Sequence, residues 1–178
     1  MRVGFGLIWL VDAILKWRPS FRSGYMSNLM AGAQDQPAWL RWWFDFWIRI
    51  QQGHAGLFSY LVAVTEALIA LAVILGFARK LTYVSAAALS FMIWATAEGF
   101  GGPYTASTVD IGAAVIYSVV FLALLAISAQ EGTSRYSVDA LIEPRVSWWH
   151  WIAEVGGHHR SVVATPMSVG SGEPRVAA

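Results

Sequence analysis

The strongest constraint on the fold of this chain is a pair of long apolar segments. Residues 57–77 are apolar except for Ser59, Thr65 and Glu66, and residues 109–129 contain Asp110 as their single charge. A helix that crosses the hydrocarbon core of a bilayer needs about 20 mostly apolar residues, and both segments meet this length. Over the whole chain 57% of the residues are apolar and 13% are charged, whereas soluble domains average roughly 25% charged residues. The sequence therefore predicts an integral membrane protein.

Two weaker segments complete a predicted all-α fold. Residues 81–97 are uncharged but slightly short for a span, and residues 3–17 carry Asp12 and Lys16 ahead of Pro19, which ends helices. We interpret residues 3–17 as an uncleaved first span, because a small-residue cleavage pattern occurs only at 31–33, too far downstream for a signal peptide. The predicted architecture is an all-α integral membrane protein, a four-transmembrane-helix bundle with spans at about 3–17, 57–77, 81–97 and 109–129.

The link between the first two spans contains a predicted interfacial helix at about residues 36–52. It has an aromatic and apolar side with Trp39, Trp43, Trp47 and Ile50, and a charged side with Arg41, Asp45 and Arg49. A helix with two such sides is expected to lie on the membrane surface or to dip into it.

The chain divides into a transmembrane domain, 1–130, and a C-terminal extension, 131–178. The extension contains a second Trp-rich segment at 146–156, which we also expect at a membrane interface. The rest of the extension is rich in Ser, Gly, Pro and small residues, a composition typical of a flexible tail. Lipid anchoring and contact with other subunits both explain the two Trp groups.

Charge and cysteine content exclude several classes of protein. Twelve basic and eleven acidic residues nearly cancel and form no basic run, so the chain has no nucleic-acid signature. Without cysteine it has no haem c attachment site, iron–sulfur site or thiolate zinc site. Its four histidines lack metal-ligand spacing, and the glycines at 99–102 lack the Lys-Ser/Thr of a phosphate loop. The first predicted partner is the lipid bilayer.

Basic residues indicate an orientation. With four spans both termini share one side, and that side collects seven Lys and Arg residues against five on the other. Because cytoplasmic loops carry an excess of positive charge, we predict that both termini are cytoplasmic.

The ionisable residues of the predicted spans converge on one side of the membrane. The first and third spans end there and the second and fourth begin there, whichever way the protein is oriented. That side receives Asp12, Lys16, His54, Glu98 and Asp110. Aromatic residues share helix faces with them at i+3, i+4 or i+7 spacing, namely Trp9, Trp94 and Tyr117. If these faces turn inward, they enclose a polar, aromatic-lined pocket near one membrane surface.

Each of these residues also has a purely structural interpretation. Asp12 and Lys16 can neutralise each other as an i, i+4 pair, Asp110 can stabilise the dipole of its helix, and Glu98 can be solvated at a span end. Glu66 lies near the middle of the second span, where it is expected to be protonated or hydrogen-bonded to another helix. A structural hydrogen bond and a proton-relay or ligand role both remain open for Glu66.

Two stretches of the chain resemble the DoxX/DoxD family of small four-helix membrane proteins, over about residues 1–130. The first runs from Arg2-Val3-Gly4-Phe5-Gly6 to Trp9-Leu10-x-Asp12 and Lys16. The second runs from Gly101-Gly102-Pro103-Tyr104 to Asp110-Ile111-Gly112-Ala113-Ala114 and Ile116-Tyr117. The likeness is closest to the DoxD branch, which implies a bacterial or archaeal cell membrane and a subunit of a thiosulfate:quinone oxidoreductase. In that reaction thiosulfate is oxidised to tetrathionate and quinone is reduced.

The resemblance and the location of the polar residues on one side of the membrane together lead to a hypothesis for the site. Asp12, Glu98 and Asp110 are candidates for handling protons, and a quinone, as substrate, is expected to be bound by Trp9, Lys16, Trp94, Tyr104 and Tyr117. Without cysteine the chain cannot carry a sulfur intermediate on a thiol, so sulfur chemistry would need a partner or a noncovalent anion site.

Two further functions compete with this hypothesis. A non-catalytic accessory subunit of a larger respiratory or photosynthetic complex would explain the Trp-rich segments and the long tail, with other membrane subunits as partners. A small transporter would explain Glu66, but four short spans without an inverted repeat argue against it.

Overall fold

The computed structural model describes residues 1–102, 104 and 110–155, which contain helices and no strand. In chain order the helices are α1 (Arg2–Lys16), α2 (Pro19–Ala33), α3 (Arg41–Gln52), α4 (Ala55–Leu75), α5 (Arg79–Ala95), α6 (Ala113–Glu131), α7 (Val138–Ile142) and α8 (His150–Ala153). Short 3-10 turns occupy Ala38–Leu40 and Gly99–Gly101. The predicted all-α class is confirmed.

Four of these helices share one hydrophobic core. Each helix contributes a large buried side chain to it, namely Trp9 of α1, Ile69 of α4, Tyr83 of α5 and Phe121 of α6. Phe121 meets Trp9 edge-on with ring centroids 4.9 Å apart. Such aromatic pairs are favourable beyond the area they bury, so this contact ties the first helix to the last helix of the core.

The core helices pack as two antiparallel pairs, α1 with α4 and α5 with α6. At one end of the first pair Gly6 lies against Ile74, and towards the other end Lys16 approaches Glu66. In the second pair the Ser118 hydroxyl donates a 3.0 Å hydrogen bond to the carbonyl of Ala87. The end of α1, the start of α4, the end of α5 and the start of α6 therefore lie at the same end of the bundle.

Two of the core helices, α4 and α6, are long and apolar enough to cross a membrane. They have 21 and 19 residues, against 15 in α1 and 17 in α5. At about 1.5 Å rise per residue, α1 and α5 are shorter than a hydrocarbon core of about 30 Å. Helices of membrane-spanning length and composition thus correspond to two of the four predicted spans.

The fourth predicted span differs at its start. Helix α6 begins at Ala113, whereas residues 110–112 are not helical. Gly112 has φ of 91°, a conformation that favours glycine, and its N–H donates to Asp110. Asp110 therefore precedes the helix and does not occupy its first turn.

A hairpin of α2 and α3 covers one end of the bundle. Helix α3 agrees with the predicted helix at 36–52, and its charged side is exposed. Trp43 donates its indole N–H to the carbonyl of Ala95 at 2.8 Å, and Phe44 is buried, whereas Trp39 and Trp42 are exposed. Helix α2 has no counterpart among the predicted elements, because its Ser, Gly and Asn residues interrupt any apolar stripe.

The C-terminal segment packs on the other end of the bundle. Asp139 of α7 is fully buried and accepts hydrogen bonds from the backbone N–H groups of Ala78 and Arg79, the Arg79 guanidinium and the Trp149 indole. Trp149 is buried against Phe77, whereas Trp148 and Trp151 are exposed. The predicted interfacial Trp segment is thus partly a packing element. The predicted flexible tail, with His158 and His159, lies outside the described residues.

Candidate functional site

A pocket of about 470 Å³ lies between the α2–α3 hairpin and the core helices. Its walls come from the end of α1, from α2 and α3, from the start of α4 and from the end of α5. It is therefore at the end of the bundle to which the sequence assigned the converging ionisable residues.

The pocket combines an apolar body with polar groups. Its apolar lining includes Phe21, Trp47, Phe58, Leu89 and Met92. The polar residues in its wall are Lys16, Tyr25, Asn28, Gln51, Thr96 and Glu98. Small-molecule sites in proteins commonly pair an apolar cavity with a few polar groups that fix the ligand's orientation. The lining suits a ligand with an apolar body and a few hydrogen-bonding groups.

Two aromatic side chains of the pocket wall, Tyr25 and Trp47, differ in their hydrogen bonding. The Tyr25 hydroxyl donates to the Gln51 side chain at 2.5 Å and so links α2 to α3 across the pocket wall. The indole Nε1 of Trp47 is buried without a hydrogen-bond partner. A buried N–H without a partner costs free energy, and because this atom has no exposed surface, a ligand acceptor could reach it only if the Trp47 ring shifts.

Lys16 connects the pocket to two carboxylates. Its Nζ is 3.1 Å from Oδ2 of Asp12, one turn earlier on α1, and 3.7 Å from Oε2 of Glu66 on α4. It also lies over the ring of Phe21, 5.4 Å from the centroid. The Asp12–Lys16 pair expected from the spacing is present, and Glu66 joins it from the neighbouring helix.

Glu66 is the most completely buried member of this cluster. Its side chain has 0% exposure, and neither carboxylate oxygen has a hydrogen-bond partner. The 3.7 Å separation from Lys16 is too long for a hydrogen bond, so the two groups interact by charge alone. Burying a carboxylate without hydrogen bonds costs free energy. The protonation state of Glu66 is therefore sensitive to any movement of Lys16.

Glu98 lies beyond the end of α5 and is half-buried in the pocket wall. Its two oxygens lie 3.3 and 3.0 Å from the backbone nitrogen of Ala114, at the start of α6. Burial raises the pKa of this carboxyl above its ordinary value, although the hydrogen bond from Ala114 acts in the opposite direction. A carboxyl with a raised pKa in a pocket is suited to proton exchange.

The other predicted site residues do not line this pocket. Trp9 and Tyr117 pack together in the hydrophobic core, with ring centroids 5.3 Å apart. Trp94 donates its indole N–H to the carbonyl of Ile111 at 2.7 Å. Tyr104 is exposed and bonds to the carbonyl of Phe100, and Asp110 is exposed beside Gly112.

Of the residues predicted to bind quinone or handle protons, Lys16 and Glu98 thus reach the pocket wall, with Asp12 behind Lys16. The polar residues Tyr25, Asn28, Gln51 and Thr96 were not predicted. The signals that could have identified the first three are weak: Gln51 ends an amphipathic helix, and Tyr25 and Asn28 are three residues apart in the unrecognised helix α2.

Comparison of the chain with known protein families, curated proteins and solved structures gives no match. Among the described residues, no group of three or more His, Asp or Glu side chains is arranged to hold a metal ion.

Proposed function

We propose that this chain is a four-span membrane subunit that binds a quinone headgroup in the pocket beside Lys16 and Glu98. The observation that carries this proposal is the pairing of an amphiphilic pocket with a cation and a half-buried carboxyl in its wall. A quinone ring requires an apolar slot, hydrogen-bond donors for its carbonyl oxygens and a source of protons on reduction.

The outer surfaces of the core helices support the membrane-spanning part of the proposal. All four helices expose large apolar side chains away from the core, among them Leu7, Val11, Leu61, Leu68, Leu81, Val84, Val119 and Leu122. Only 33% of the apolar window of α4 and 22% of that of α6 are buried. Apolar faces of this extent are covered in membrane proteins by lipid. The short helices α1 and α5 would cross with local thinning of the bilayer or with help from their flanking residues.

The pocket groups fit the stages of quinone reduction. The Lys16 ammonium and the Asn28 side-chain amide in the pocket wall are donors for the carbonyl oxygens, and charge-assisted hydrogen bonds such as that from Lys16 are the stronger kind. As the quinone takes up two electrons, its oxygens gain negative charge and accept two protons. Glu98, with its raised pKa, can supply one of them and regain it from water at the bundle end, and the second proton comes from water in the open pocket.

The resemblance to the DoxD branch suggests the electron donor. Two thiosulfate ions join to form one tetrathionate and release two electrons, which balances reduction of one quinone to quinol with two protons. Since the chain has no cysteine, we assign the sulfur chemistry to a partner subunit, and to this chain the quinone.

Fluorescence quenching by decylubiquinone in detergent tests the proposal. Trp47 lines the pocket, whereas Trp42 on the same helix is exposed. We expect saturable quenching in the unmodified protein and in Trp42→Phe, and loss of the saturable part in Trp47→Phe. Quenching that never saturates, or that depends on Trp42 instead, would contradict a quinone site in this pocket.

A second function, that of an accessory subunit, is favoured by the exposed aromatic residues of the C-terminal segment. Trp148 and Trp151 are 58% and 70% exposed on a segment that Asp139 fixes to the bundle. Aromatic side chains presented on a fixed element suit docking to another membrane subunit.

Mild-detergent purification followed by mass spectrometry would test this function. A stoichiometric partner lost in Trp148→Ala/Trp151→Ala would support it, and a chain that migrates alone would contradict it.

A further inference from the structure

The Lys16 ammonium occupies a position between two kinds of partner. On one side are Asp12 and the buried Glu66, at 3.1 and 3.7 Å, and on the other is the pocket that Lys16 lines. An ammonium group has three N–H donors, and Glu66 receives none of them. Because Lys16 is a long, flexible side chain, a ligand acceptor in the pocket can draw its ammonium away from Glu66 without breaking a hydrogen bond to it.

When the Lys16 ammonium moves towards the ligand, Glu66 is left as a buried charge without a counter-ion. The charged groups that face Glu66 are Lys16 and Asp12 on α1, and Glu98 lies beyond Lys16 at the end of α5. Asp12 is negative and cannot replace the cation. An isolated buried carboxylate in an apolar surrounding is neutralised by a proton rather than kept charged.

We propose that the pocket binds its ligand together with one proton, which Glu66 takes up as Lys16 turns to the ligand. This inference depends on the proposed quinone site, because it needs an acceptor beside Lys16. The proton comes from water at the pocket end and forms an O–H bond on a Glu66 oxygen. Lys16 remains an ammonium, now paired with Asp12 and the ligand. No electron is transferred in this step, so the oxidised quinone is sufficient to cause it.

Calorimetry of decylubiquinone binding in buffers with different ionisation enthalpies measures the proton directly. We expect the unmodified protein to take up close to one proton per quinone at about pH 8, and less as the pH falls. Its affinity should then weaken as pH rises, by at most about tenfold per pH unit, the limit for one proton. Glu66→Gln, which keeps the shape of the side chain, should bind without proton uptake and with affinity that changes little with pH.

Two further variants distinguish proton uptake by Glu66 from proton uptake by other carboxyl groups. Glu98→Gln removes the titrating group in the pocket wall and should keep the proton uptake, and Asp45→Asn, on the exposed side of α3, should leave both uptake and affinity unchanged. Proton uptake that persists in Glu66→Gln, or disappears in Glu98→Gln alone, would overturn the inference.

A third measurement needs no variant. If Glu66 is protonated on binding, the infrared difference spectrum of the unmodified protein should gain a carboxylic acid C=O band when decylubiquinone is added. Saturable Trp47-dependent quenching without that band would overturn the inference and leave the quinone site standing. Absence of the quenching itself would instead remove the proposed function and this inference with it.

Discussion

At the scale of single residues, two glycines determine how closely α2 approaches the end of α5. A Cβ atom on Gly32 would collide with the carbonyl oxygen of Thr96 and lie 2.9 Å from that of Ala97. Gly99 has φ of 55° and packs against the backbone of Gly32, while the Gln36 amide donates to the carbonyls of both glycines, at 2.9 and 2.8 Å. These contacts fix the wall of the pocket formed by Thr96 and Ala97.

Gly32→Ala is expected to destabilise the protein, because the added methyl group meets backbone atoms that cannot move aside. We expect a loss of about 1 to 3 kcal/mol, the usual cost of overpacking, together with weaker decylubiquinone binding. Gly24→Ala on the same helix is the matched control, since its Cβ would meet only the Ser27 hydroxyl at 3.8 Å. The control should be neutral or more stable by up to about 1 kcal/mol. Thermal unfolding of both variants checks this, and equal stability would contradict the close contact.

The raised pKa of Glu98 predicts that the stability of the folded protein depends on pH. Burial raises its pKa in the folded state above the ordinary 4.5, so the folded protein holds this proton more tightly than the unfolded chain. The resulting stabilisation is complete below pH 4.5 and is lost as pH rises through the raised value. The melting temperature of the unmodified protein relative to Glu98→Gln should therefore fall from acidic to neutral pH. A difference that stays constant over this range would contradict the raised pKa.

At the scale of helices, α5 receives its N-terminal cap from a distant helix. No side chain next to its start caps it, and Asp139 accepts the N–H groups of Ala78 at 2.7 Å and Arg79 at 3.1 Å. The same carboxylate pairs with the Arg79 guanidinium at 2.9 Å, and both side chains are almost fully buried. One residue thus caps α5 and holds α7 and α8 against the bundle.

Asp139→Ala should be strongly destabilising, because the buried Arg79 loses its 2.9 Å carboxylate partner and keeps only the more distant Glu143, at 3.5 Å, as a counter-ion. Breaking a buried ion pair typically costs about 3 to 5 kcal/mol, and here the cap is lost as well. Limited proteolysis should then cut between residues 132 and 155 before it cuts the core helices. Glu131→Gln, an exposed carboxyl at the end of α6, should behave like the unmodified protein. An Asp139→Ala variant as resistant to proteolysis as this control would contradict the capping role.

The helices differ in how far sequence could predict them. The core helices and α3 follow from apolar length and amphipathic spacing, which are local properties. Helix α2 has no apolar periodicity, and it is stabilised by contacts such as Gly32 with Thr96 that depend on the fold. Asp139 contacts Arg79 from 60 residues away. Much of the pocket wall belongs to such elements, so the sequence could assign Lys16 and Glu98 to one bundle end but not Tyr25 or Asn28 to the site.

At the scale of the whole molecule, the four-span proposal places Gln52 and Ser134 on opposite sides of the membrane. If only α4 and α6 crossed, these two residues would lie on the same side. Because the chain has no cysteine, Gln52→Cys and Ser134→Cys each introduce a unique and exposed reporter. We expect a membrane-impermeant maleimide to label only one of the two in intact cells, Gln52→Cys if the termini are cytoplasmic. Labelling of both, or of neither until the membrane is opened, would contradict a crossing by α5.

The most direct test of the central claim is photolabelling of the membrane-embedded protein with an azido-quinone, followed by mass spectrometry of the labelled peptides. A quinone in the pocket should attach to residues of α2, to α3 near Trp47 and to the end of α5, and excess decylubiquinone should prevent the labelling. Labelling spread over the outer faces of α4 and α6, or insensitive to the competitor, would contradict a quinone site beside Lys16 and Glu98.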